Sequence, residues 1–365
     1  MRTTSYLIPL TLAVSGAFGQ VPGMSPEIHP DRTVTFRIRA PKASEVLVFG
    51  DWIQGRPAAM SKDPNGLWSL TTGPIEATGH TYYFIVDGMP IADPANPIVK
   101  LRQQGSYSLL EIRASPPAPW TLTDVPHGAV VTEWRKSEIL GRTERIFVYL
   151  PPGYAQSSAR YPALYLIHGS GDVPDGWTVA GAANLILDNL IAAGKARPMI
   201  LVMPAGHAAL PGPGPYINNA ERFDQYLTRE VIPFVESQYR VAPGSRNRAL
   251  AGLSMGGGLT MTTGFGHPDL FSALGIFSAT AQSDFETVYK AALDDPEGTN
   301  AKVHTIWAGC GDKDPQCANM KQFVGMIEKH GIHATLRTVE GGGHAWPVWR
   351  LCLSEFAPLL FEVKR

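Results

Sequence analysis

The chain has 365 residues, 44% of them hydrophobic, and a formal net charge of −1. That length suits two domains with sizeable cores. The balanced charge gives no electrostatic footing for nucleic acid or for an anionic membrane as a partner.

Residues 1–19 read as a signal peptide. Arg2 supplies the positive charge, Tyr6 to Val14 the apolar run, and Ala17-Phe18-Gly19 a small-residue cleavage site. The run is too short to span a bilayer, so the reading is an exported protein, secreted or periplasmic. Residues 24–113 read as all-β. Thr33–Arg39 alternates apolar and polar residues, and Glu45–Phe49, Leu67–Leu70, His80–Val86 and Tyr107–Ile112 continue the series between turn signals such as Asp87-Gly88. Short strands at that spacing predict a small immunoglobulin-like β-sandwich, with Trp68 in its core. Residues 114–119, Ala-Ser-Pro-Pro-Ala-Pro, read as a linker.

From residue 120 to 365 strands alternate with helices. Arg145–Leu150, Tyr161–Ile167, Met199–Pro204, Leu274–Ser278 and Ala334–Val339 read as strands, and Phe223 to Ser237 has helical period. Near-continuous apolar strands between helices predict a mostly parallel sheet covered on both faces. The fold class expected is therefore α/β, an α/β-hydrolase preceded by a small all-β sandwich.

Arg248–Gly258 carries the chemistry. It reads as an apolar strand, a G-x-S-x-G turn centred on Ser254, and a helix start. Gly252 and Gly256 leave the tight turn free of side chains, which lifts the Ser254 hydroxyl clear of the sheet and aims the Met255 amide at the same space. A serine hydroxyl needs a base, and His344, after Gly341-Gly342-Gly343, is the best placed. His168 and Gly169 follow a buried strand, and the amide of Ser170 is the expected second oxyanion donor. His168 is expected to order that loop. The acid follows the strand ending at Gly309. Asp312 and Asp314 both qualify by spacing, and Ser, Asp, His in this chain order is the order of α/β-hydrolases. Trp177, Trp346 and Tyr216 are the aromatics expected to line the substrate cleft. With no CxxC or HExxH, neither a metal nor a cofactor is expected. Among the three cysteines, Cys310 reads as a buried small hydrophobe, and a Cys317–Cys352 bridge would tie the acid loop to the histidine loop.

Taken together, Val125-Pro126-His127-Gly128, Val148–Tyr154, His168-Gly169, Ala251–Gly257 and Gly341–His344 resemble the esterase-D-like serine esterases of carbohydrate esterase family one, the feruloyl and acetyl-xylan esterases. The likeness spans about residues 120–362. Phe49–Trp52 and Asp93–Pro97 are similar to family-48 carbohydrate-binding modules that precede such esterases. The resemblance implies Asp314 as the acid, counted from Gly311. It implies hydrolysis of feruloyl or acetyl esters on plant cell-wall polysaccharide such as xylan, with a polysaccharide or aryl-ester substrate as partner. The alternatives are an enterochelin-type siderophore esterase and a non-catalytic glycan-binding protein with a relic esterase domain.

Overall fold

The computed structural model describes residues 25–53, 55–209 and 219–361. The signal-peptide reading and Tyr216 lie outside the described residues. The N-terminal part is all-β. Val34–Arg39 and Leu67–Thr72 are central in one antiparallel sheet. Val46–Gly50, Gly79–Val86, Ser106–Glu111 and Val99–Leu101 run in that order across a second. Alternate residues point inward, so Val34, Phe36, Val46, Val48, Trp68, Tyr82 and Phe84 close one core between the sheets. Trp52 is part-buried against that core, stacked on Phe36 at 5.7 Å.

The C-terminal part is built on one eight-stranded sheet. Its strands are β1 (Ala129–Ser137), β2 (Arg142–Leu150), β3 (Ala163–Ile167), β4 (Ile200–Met203), β5 (Arg248–Leu253), β6 (Ala273–Phe277), β7 (Thr305–Gly311) and β8 (Thr335–Val339). The spatial order is β1-β2-β4-β3-β5-β6-β7-β8. The β1–β2 and β2–β4 pairs are antiparallel and the other pairs are parallel. Every residue of β3, β4, β5 and β6 is buried, as helices on both faces require. Tyr165, Ile167, Val202 and Leu250 pack on one face with helices Met255–Gly266 and Cys317–Lys329. Leu164, Leu166, Leu201 and Ala251 pack on the other with helices Ala183–Ala192 and Trp346–Phe356. Strand β1 was not among the sequence-predicted elements. It is an edge strand with mostly exposed side chains, so no buried face imprinted a pattern on it.

The disulfide joins Cys310 to Cys317, with Cα atoms 5.4 Å apart, and Cys352 is a buried free thiol. The expected Cys317–Cys352 bridge is therefore corrected. Cys310 and Cys317 pack on one face of the sheet, whereas Cys352 packs on the opposite face beneath Gly309. Spacing along the chain cannot reveal a sheet lying between two residues.

Candidate active site

Strand β5 ends at Leu253 and the next residue turns sharply. Ser254 adopts φ 52° and ψ −117°, a strained conformation for a residue with a side chain, costing about 1–3 kcal/mol. The surroundings enforce it. A Cβ on Gly252 would stand 2.5 Å from the Gly256 backbone, and one on Gly256 would stand 2.5 Å from the carbonyl oxygen of Ile167. The Ser254 amide donates to the Phe277 carbonyl at 2.8 Å. Helix Met255–Gly266 begins immediately afterwards, so its unpaired amides and positive dipole end lie beside the hydroxyl.

His344 Nε2 lies 3.1 Å from Ser254 Oγ. Its Nδ1 lies 3.0 Å from each oxygen of Asp314. Asp314 is buried and Asp312 is exposed, so geometry separates two acids that spacing left equivalent. Burial pushes the Asp314 pKa up, but the hydrogen bonds with His344 and the Gln316 amide, with the nearby Ser278 hydroxyl adding to them, outweigh it and hold the carboxyl below its ordinary value. Ser278 has no sequence signature. It follows β6 at φ 51°, fully buried, as Ser254 follows β5 at φ 52°. The acid and histidine loops touch through glycine. The Asp312 amide donates to the Val339 carbonyl and the Lys313 amide to the Gly342 carbonyl, each at 2.9 Å. A Cβ on Gly311 would fall 2.0 Å from the oxygen of Gly342.

The loop after β3 runs against the serine turn. A Cβ on Gly169 would stand 3.4 Å from Ser254 Cβ, and Ser170 beside it is exposed. Two histidines hold this loop. The Gly206 amide donates to His168 Nε2 at 2.9 Å, so that nitrogen is unprotonated and Nδ1 carries the hydrogen toward the Gly169 carbonyl, also at 2.9 Å. The Gly171 amide donates to His207 Nε2 at 3.1 Å. Burial lowers the pKa of both rings, that of His207 to about 4, which keeps them neutral and able to accept.

Two expected cleft residues are elsewhere. Trp177 is fully buried, and its indole nitrogen donates to the Ile167 carbonyl at 3.1 Å. Trp346 is buried edge-on between Trp177 at 5.3 Å and Trp349 at 5.2 Å. Neither lines an open cleft. The apolar area of an indole favours the core wherever its N–H finds an acceptor. Trp349 in turn packs edge-on against the His344 ring at 5.1 Å, so these tryptophans support the site from behind.

A serine on a strand–turn–helix elbow over this sheet order, with a histidine bridging it to a buried carboxylate, defines an α/β-hydrolase. The Esterase family model matches residues 137–360, and the chain belongs to that family. Over 352 residues the chain is 34% identical to an endo-1,4-beta-xylanase/feruloyl esterase of Xylanibacter ruminicola, covering 92% of this chain and 46% of that protein. The chain thus spans about half the length of that relative. A solved ferulic acid esterase is 28% identical with a TM-score of 0.55, over 64% of this chain and 97% of that one. The enterobactin esterase of Shigella flexneri shares the fold, with a TM-score of 0.67 at 18% identity over 90% of this chain and 93% of that one. The resemblance of residues 120–362 to the feruloyl and acetyl-xylan esterases is borne out. Among the described residues, no group of metal-ligating side chains is present, and no helix is long and apolar enough to cross a membrane.

Proposed function

We propose that the chain is a serine carboxylic-ester hydrolase acting on feruloyl or acetyl groups of plant cell-wall polysaccharide such as xylan. One observation carries the proposal. The His344 ring reaches the Ser254 hydroxyl at 3.1 Å with one nitrogen and the buried Asp314 at 3.0 Å with the other. His344 Nε2 takes the hydroxyl proton as Ser254 Oγ attacks the ester carbonyl. Asp314 fixes the ring tautomer and stabilises the imidazolium. The amides of Met255 and Ser170 receive the developing oxyanion. His344 then returns the proton to the departing alcohol, leaving an acyl group on Ser254. Water, deprotonated by the same nitrogen, releases the acid.

The acyl and polymer assignments draw on the relatives whose names carry feruloyl or ferulic acid esterase. Residues 1–19 are proposed as the export signal, 24–113 as a carbohydrate-binding-like module, 114–119 as a linker and 120–365 as the esterase domain. The test compares p-nitrophenyl acetate, methyl ferulate, feruloylated arabinoxylan and a tricatechol trilactone. Turnover of the first three, lost by on the order of 10⁴-fold or more in folded Ser254→Ala, is expected. Preferential cleavage of the trilactone would replace the proposal with the siderophore reading. Unchanged turnover in Ser254→Ala would end it.

A further inference from the structure

The loop His168–Asp172 is held from within by His168 and His207, and also from outside the large sheet. Strand Val99–Leu101 lies at one edge of the second β sheet. Its middle residue, Lys100, is only 1% exposed. Lys100 pairs across the strands with Tyr107, whose ring stacks on Tyr83 at 4.7 Å. These residues occupy the outer face of the sheet, turned away from the core that holds Val48, Tyr82 and Phe84. An ammonium group buried this deeply requires a counter-charge. Its Nζ pairs with the buried carboxylate of Asp172, which also accepts the Val173 amide at 2.8 Å. Burial lowers the ammonium pKa, and the Asp172 charge opposes that shift.

Neighbouring residues reinforce the contact. The Gln103 amide donates to the Gly171 carbonyl at 3.0 Å. The Arg102 guanidinium covers Gly171, where a Cβ would stand 2.6 Å from Nη2. Lys100 Nζ also rests 5.5 Å over the Trp346 ring, the start of the aromatic stack that ends on His344. A second link holds the same two parts together. Arg350, on the helix after His344, makes two hydrogen bonds with Glu111 at 2.9 and 3.0 Å and donates to the Ala180 carbonyl. Gly79 leaves the space that its guanidinium fills.

We propose that Lys100 is a positioning residue for ester hydrolysis. It acts through Asp172 to hold the loop His168–Asp172 against Ser254, and through Trp346 and Trp349 to back His344. The β region is then part of the apparatus around the serine, beyond any role in binding polymer. The inference rests on the ester-hydrolase reading of Ser254, Asp314 and His344. Removing the cation strands a buried carboxylate, which rehydrates only if the loop moves.

The test is Lys100→Met in the full chain, assayed on p-nitrophenyl acetate, a substrate with no polymer to contact the β region. The expected result is a fall in kcat of about tenfold with KM nearly constant, as for loss of an interaction realised in the transition state. Affinity for phenylboronic acid, a tetrahedral adduct former, should fall in parallel, while affinity for the product ferulate stays. A purely structural role would lower the melting temperature and leave kcat and the boronate-to-ferulate ratio unchanged, and that result overturns the proposal. If Lys100→Met does not fold, Asp172→Asn keeps the size of the side chain. A lower kcat at constant KM then supports the proposal and an unchanged kcat overturns it. An inactive parent chain would count against the esterase reading, whereas an active parent with an equally active Lys100→Met counts against this inference alone.

Discussion

The two sides of Ser254 are held in different ways. On the acid–base side, the support comes from segments close in the sequence and in the same sheet. Gly311 packs on Gly342, two loop amides cross from one loop to the other, and the Cys310–Cys317 disulfide closes the loop that carries Asp314. On the side of loop His168–Asp172, the supports arrive from far away. His207 follows β4, Lys100 comes from a strand of a different sheet, and Gln103 from the bend after that strand. The first arrangement is compact and mostly local, touched by the β region only through the Trp346–Trp349 stack behind His344. The second couples the geometry of the site to how the β region sits.

Three measurements bear on that contrast. The largest effect is expected at the acid. Asp314→Asn should lower kcat by on the order of 10³–10⁴-fold, since an amide neither selects the productive tautomer nor stabilises the imidazolium. Asp312→Asn, exposed on the same loop, should stay within about twofold of the parent, as surface changes usually do. Equal losses in kcat would mean that the loop as a whole, and not one carboxylate, is what matters. Cys317→Ser comes next. Opening so short a covalent loop should cost about 2 kcal/mol of stability, read from a denaturant midpoint, with Lys100 and its contacts untouched. A large rise in KM for p-nitrophenyl acetate would instead show that the disulfide shapes substrate binding and not only the stability of the acid loop.

The smallest effect concerns pH. The His207 pKa is about 4 when folded, because burial disfavours the charged ring, against an ordinary value near 6.5. Protonation therefore favours the unfolded chain. The stability contributed by the neutral ring is complete above about pH 6.5 and is lost as pH falls toward 4. His207→Gln, whose side-chain oxygen can still accept the Gly171 amide, should flatten the fall in melting temperature across that window by a few degrees. An unaltered pH profile would remove His207 from the supports of the loop. Asp314 works at lower pH. Its depressed pKa contributes stability that is present above the ordinary carboxylate value and is lost as pH falls through the folded value.

Much of this was legible in the residues. The apolar runs at β3, β5 and β6 identify buried strands because both sheet faces are covered, and the glycines around Ser254 and before His344 mark places where backbone must pass closely. Edge strand β1 left no pattern, because its side chains face water. Asp312 and Asp314 are equivalent by spacing, and only burial separates them. The tryptophans misled because an indole suits a ligand cleft and a core equally well. The cysteine pairing misled because two residues can be close in sequence order yet lie on opposite faces of a sheet. Lys100 carried no signal at all, since a lone lysine in a short strand is ordinarily solvated.

What the sequence by itself determined is the local chemistry. A serine in a turn that tolerates only glycine beside it, an imidazole on a glycine-rich loop, and strands whose periodicity dictates the sheet all follow from short-range sterics and hydrophobic pattern. Only the tertiary structure decided which carboxylate the imidazole meets, which sulfurs pair, and that a lysine from the β region is buried beside the loop next to Ser254. Those outcomes depend on desolvation and close packing between segments far apart in the chain, and no local pattern encodes either.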